Sequence, residues 1–97
     1  MARLLIRPEA SADVEEAATW YEDRRPGLGY RFFSEVNRVF GRIEEGPLPF
    51  PRIEGDVRRA LVRKFPYAAY FVDEQQNVVV LAVLHCRRHA DHWRSRI

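Results

Sequence analysis

The residues best suited to chemistry collect late in the chain. They include His85, His89 and His92, and histidine is the side-chain type most often used to take or give protons. Two basic clusters accompany them: Arg58, Arg59, Arg63 and Lys64, then Arg87, Arg88, Arg94 and Arg96. Guanidinium forks hold phosphate and carboxylate equally well, so these clusters fit a nucleic acid or an acidic protein. No carboxylate–histidine spacing of the kind that ligates zinc accompanies the histidines, and the chain is read as binding neither metal nor cofactor. Cys86 has no activating neighbour except Arg87 and reads as a small packed side chain. Each reactive residue also has a plain structural reading. His85 ends an apolar run and suits a hydrogen-bonded strand end, His89 and His92 suit a solvated tail, and Trp93 suits a packing anchor.

These residues must be carried by elements that the pattern of apolar positions defines. Arg3 to Arg7 reads as a short strand, stopped by Pro8, which fits the first turn of a helix. Ala10, Val14, Ala17, Ala18 and Tyr21 then form one stripe at helical spacing, with Glu15, Glu16, Glu22 and Asp23 on the other side and Trp20 at its edge. Pro26-Gly27-Leu28-Gly29 breaks this helix. It is a turn and not a phosphate loop, because no Lys-Ser or Lys-Thr pair follows. A second stripe, Phe32, Phe33, Val36, Val39, Phe40 and Ile43, makes the pair a helical hairpin with all three phenylalanines in the core. Gly46-Pro47 ends it, and the proline-rich stretch to Asp56 reads as an irregular loop.

Strand patterns follow. Val57 to Arg63 leads to Pro66, which no central strand can run through. Tyr67 to Val72 is aromatic-rich, Asp73 to Asn77 suits a hairpin connection, and Val78 to Leu84 is a continuous apolar run that needs cover on both faces. The expected fold is α+β in the order β-α-α-β-β-β, a helical hairpin on a small, mostly antiparallel sheet.

The 97 residues make one domain, 1–97. Hydrophobic residues at 46% can fill a core, and charged residues at 31% describe a globular chain rather than a disordered or membrane one. The longest apolar run is far short of the roughly 20 residues of a membrane span. No secretion signal opens the chain, and a single cysteine excludes an internal disulfide, so a cytoplasmic setting is expected. Fifteen of the sixteen basic residues are arginine, and their excess falls in residues 34–97, where eleven basic groups face eight acidic ones.

Over nearly its whole length the chain resembles the RelE/ParE superfamily of toxins from bacterial type II toxin–antitoxin modules. The likeness is carried by Arg7-Pro8-Glu9-Ala10 with Asp13, Trp20-Tyr21, Pro26-Gly27-Leu28-Gly29 with Arg31-Phe32, and the Pro47 and Phe50-Pro51 loop. It continues through Asp56-Val57-Arg58-Arg59, Phe65-Pro66-Tyr67, Tyr70, Leu81-Ala82-Val83-Leu84-His85, Arg87-Arg88 and Trp93. It is closest to the ParE-like, or plasmid stabilisation, branch. Members there often read His-x-Arg-Arg-Asp-Pro near the end, where this chain has His89 and Ala90 in place of Asp-Pro.

The resemblance implies a toxin neutralised by a cognate antitoxin that wraps it. Its target would be DNA gyrase, bound without chemistry, or ribosome-bound mRNA, cut as RelE-like nucleases cut it. A nuclease would draw on Arg63, Arg87 and Arg88 as cations and on His85 or His89 as acid or base. Against this, Ala68 stands where those nucleases place an arginine, and Trp93 stands near where they offer a tyrosine hydroxyl. A third possibility is an inactive module that only binds its antitoxin. For partner contacts the expectation is Arg58, Arg59, Arg63, Arg87, Arg88, Arg94 and Trp93, with Trp20, Phe50 and Tyr70 lining a groove.

Overall fold

A computed structural model describes residues 3–88 and 91–97. His89 and Ala90, where the chain departs from the branch pattern, lie outside the described residues. The element order is β1 (Arg3–Ile6), α1 (Pro8–Arg24), α2 (Leu28–Glu45), β2 (Arg52–Glu54), β3 (Val57–Leu61), β4 (Tyr67–Glu74) and β5 (Asn77–His85), closed by a short 3-10 helix, His92–Arg96. The architecture is the expected α+β hairpin on a sheet, with one addition. The stretch before Asp56 is not wholly irregular, because Arg52–Glu54 pairs with β3 as a fifth strand.

Pro8 opens α1 because its missing N–H costs nothing there, and it holds Arg7 extended. Ala10, Val14 and Ala17 face the core. Gly27, at φ 90°, turns the chain into α2. The first N–H groups of α2 need acceptors. Glu22 supplies them from α1, its carboxylate accepting from the N–H of Gly27 at 2.9 Å and of Gly29 at 3.0 Å. Gly29, Phe32, Val36, Val39, Phe40 and Ile43 bury their side of α2. Phe33 does not join them. It is 47% exposed, since one residue turns a helix by about 100° and carries the neighbour of Phe32 off the buried stripe.

The sheet order is β1-β5-β4-β3-β2. β1 runs parallel to β5, and the other pairs are antiparallel. Pro66 lies in the turn between β3 and β4, as its missing N–H requires. β5 is an interior strand, next to the β1 edge, and is buried on both faces. Val78, Val80 and Val83 meet the helices, while Leu81, Ala82 and Leu84 belong to a second cluster on the opposite face. Leu81 is the extra residue of a bulge, because Phe71 pairs with Val80 and Tyr70 with Ala82. The C-terminal segment crosses that opposite face. There Trp93, 3% exposed, stacks on Tyr70 with ring centroids 6.1 Å apart.

Candidate functional site

The pairing of β1 with β5 stops at Val80, after which the chain turns into α1. The second half of β5 therefore faces α1 across a gap. A cleft of about 520 Å³ opens there. Trp20 and Tyr21 of α1 meet Tyr67, Leu84 and His85 from the strand ends, and Arg88 closes one end. Aromatic edges build its floor. Tyr67 lies 6.1 Å from Tyr21 and 5.3 Å from His85, centroid to centroid. Burial pushes the hydroxyls of Tyr21 and Tyr67 above their ordinary acidity range, while the charge of Arg88 pulls both the other way.

The cleft's charge differs from that of the whole chain. Asp13, Glu16 and Asp23 line it, and among the described residues Arg88 is the one arginine that does. Asp13 is already matched. Its Oδ2 accepts from the Val83 N–H at 3.0 Å, and both its oxygens bind the Arg96 guanidinium, at 2.5 and 3.2 Å. Glu16 and Asp23 are set against Arg88 and the Arg24 guanidinium over Trp20, so no excess of positive charge gathers there. His85 is turned to local use. Its Nδ1 accepts from the backbone N–H groups of Arg87 at 3.1 Å and Arg88 at 3.4 Å, which holds the turn after β5.

The expected site residues do not form one constellation. Arg63 and Arg87 are exposed and do not line the cleft. Arg58 and Arg59 point to opposite faces of β3, as neighbours on a strand must. Arg58 is buried and structural, donating to the carbonyls of Phe50 at 2.7 Å and Leu48 at 3.3 Å. Arg59 lies on the far face with Tyr70. Burial raises the pKa of the Tyr70 hydroxyl, which nears the Arg59 guanidinium without a well-formed hydrogen bond.

The three groove aromatics also separate. Trp20 lines the cleft, 43% exposed and with the Arg24 guanidinium 4.0 Å from its ring centre. Phe50 packs edge-on against Phe71 under Arg42, and Tyr70 is buried beneath Trp93. A partner meets neither Tyr70 nor Trp93 while the tail stays seated. Arg94 is exposed and paired with Glu54 at 2.9 Å. Of the cleft's members, Glu16 and Asp23 carry no local motif. The one signal that could have found them is the spacing of Ala17 and Tyr21 on α1, which turns residues 13, 16 and 20 toward a common side.

Among the described residues, no group of three or more His, Cys, Asp or Glu is placed to hold a metal ion, and no helix is long and apolar enough to cross a membrane. No curated protein matches the chain in sequence. A solved structure described as a chromosomal ParDE toxin–antitoxin system from P. aeruginosa superposes with a TM-score of 0.79. It covers 88% of this chain and 96% of that one at 16% identity, so the likeness is one of fold. The sequence itself matches the model of the ParE toxin of the type II toxin–antitoxin system parDE over residues 4–90, and the chain belongs to that family.

Proposed function

We propose that the chain is the toxin of a type II module, held inactive by a cognate antitoxin, and that it stops growth by binding DNA gyrase rather than by cutting RNA. The observation that carries this reading is the charge of the cleft. Cleaving a phosphodiester needs converging cations around the phosphorane. Of Arg63, Arg87 and Arg88, only Arg88 lines the cleft, opposed by Glu16 and Asp23. The cleft offers no excess of positive charge to a polyanion, whereas its aromatic and mixed polar lining suits a polypeptide. The exposed arginines Arg63 and Arg87 lie on the surface within reach of an acidic partner, while Arg94 is already paired with Glu54. A cytoplasmic setting, where gyrase works, is the one this reading requires.

Pulse labelling after induction in a bacterial host tests the reading, with thymidine and methionine incorporation followed in parallel. The expected result is early loss of thymidine incorporation while methionine incorporation continues. Early loss of methionine incorporation would favour mRNA cleavage and overturn the gyrase reading. Unimpaired growth, in a host without the antitoxin, would leave an inactive antitoxin-binding module.

A further inference from the structure

Two features of α2 have no use inside the chain. Phe33 is 47% exposed and Tyr30 74% exposed, three residues apart on one side of the helix. Gly41 sits in the helix interior, where glycine is less stable than alanine, and nothing lies within 4 Å of a Cβ built on it. Gly29 is required by the close approach of α1, whereas no such approach requires Gly41. A helix that exposes large aromatic rings and bares its backbone two turns further on leaves both a knob and a seat unfilled.

At about 100° per residue, Tyr30, Phe33, Asn37, Gly41 and Glu44 fall within about 80° of arc and make one seam along α2. Asn37 and Gly41 are exposed, and Glu44 is half-buried. The seam is self-complementary about Asn37. A two-fold axis there sets a second α2 antiparallel to the first, and residues equally far from Asn37 in opposite directions then stand level. Phe33 meets Gly41 of the second copy. Tyr30 meets Glu44 of the second copy, a hydroxyl donor against a carboxylate acceptor. Asn37 meets its own image, and a side-chain amide can both donate to and accept from another.

The charges beside the seam agree. Arg31 and Glu45 are exposed on the same flank of α2. The two-fold brings Arg31 of one chain within about 3 Å, measured along the helix axis, of the level of Glu45 of the other. Arg38 is turned about 100° from Asn37 and points away from the seam. A parallel pairing would set Phe33 on Phe33 and Arg31 on Arg31, and would leave Gly41 facing Gly41.

We propose that α2 is a docking surface for a second copy of this chain: two α2 helices pack antiparallel about Asn37, with Phe33 of each seated on Gly41 of the other. The 18 residues of α2 make a contact about 27 Å long and one helix wide. A strip of this size falls short of the roughly 1,200 Å² of a stable complex, so the dimer forms reversibly and dissociates on dilution. Among the described residues none of α2 lines the cleft, so this contact is separate from the binding of a target there.

Sedimentation equilibrium of the full chain tests this from about 1 μM to about 1 mM, the range in which small interfaces dissociate. The expected mass rises with concentration from one chain to two. Asn37→Asp sets two carboxylates face to face at the axis and should weaken the dimer about tenfold or more, as should Phe33→Ala. Arg31→Glu should weaken it several-fold by opposing Glu45, and the double change Arg31→Glu with Glu45→Arg should restore it. All of these side chains are exposed in the single chain, so circular dichroism at the lowest concentration should match wild type. Leu48→Ala, exposed but outside α2, is the control and should leave the dimer unchanged. A wild-type chain that stays a monomer at every concentration overturns the proposal and leaves this face to another polypeptide. A dimer indifferent to Asn37→Asp and Phe33→Ala, or a double change that fails to restore it, overturns it as well. A chain that arrests no cell can still dimerise, so this test and the pulse labelling fail separately.

Discussion

Two glycines in α2 make opposite predictions from the same substitution. Replacing an interior helical glycine by alanine gains about 1 kcal/mol from reduced backbone freedom in the unfolded chain. At Gly41 nothing lies within 4 Å of the added Cβ, so Gly41→Ala should realise that gain. At Gly29 the Cβ would lie 2.5 Å from the Ala18 carbonyl oxygen and 3.0 Å from both Cβ and Oε1 of Glu22. The first of these is backbone, so the helices themselves must separate. Overpacking of this kind costs about 1–3 kcal/mol. Separation also strains the hydrogen bonds from Gly27 and Gly29 to Glu22, each contributing about 1 kcal/mol. After subtracting the propensity gain, Gly29→Ala should lose roughly 1–3 kcal/mol. For a domain of this size that is a melting temperature lower by about 4–24 °C, against a rise of about 4–8 °C for Gly41→Ala. Thermal unfolding followed by circular dichroism reads both. A Gly29→Ala variant as stable as wild type would show that the hairpin does not depend on this close approach, and the account of how α1 is held at the cleft would fail with it.

Two further predictions concern the aromatic residues. Trp93→Ala should cost about 3–5 kcal/mol in denaturant unfolding, because the ring is buried on Tyr70, whereas Trp20→Ala should cost only about 0.5–1 kcal/mol, chiefly the Arg24 contact. Similar losses at both positions would contradict the placement of the tail. Burial holds the hydroxyls of Tyr21, Tyr67 and Tyr70 above their ordinary value of 10.0, so the folded chain keeps these protons longer than the unfolded chain. The stability this contributes is fully present below that value and is lost as the pH rises past it. Urea midpoints should therefore fall through this range, and midpoints that rose would refute the burial of these groups.

Much of the fold was legible because burial leaves a period in the sequence. The stripe Val36, Val39, Phe40 and Ile43 and the run Val78 to Leu84 have one arrangement each that buries them. Phe33 shows the limit. It is adjacent to Phe32 and as apolar, and only the rotation per residue tells them apart. The short strand Arg52–Glu54 was hidden for a different reason. All three residues are exposed, so pairing with β3 left no hydrophobic pattern behind. Strand order was equally hidden, since the parallel pairing of β1 with β5 joins segments more than seventy residues apart. The cleft was the least legible part. Asp13, Tyr67 and Arg88 acquire a common location only after that pairing forms.

The same contact explains why the basic net charge is a poor guide to the site. Arginines cluster in sequence at 58–59 and 87–88, but adjacent residues on a strand or turn diverge, and each cluster is split between faces. Arg58 is consumed in holding the loop before β3, and Arg96 in holding Asp13. Among the described residues Arg88 lines the cleft and Arg24 lies over its Trp20, while α1 brings Asp13, Glu16 and Asp23 to it. The formal net charge of +2 is therefore a sum over surfaces of unlike character. A partner that occupies both surfaces must change character along its length, apolar with mixed charge against Trp20, Glu16 and Asp23, and acidic where it meets Arg63 and Arg87.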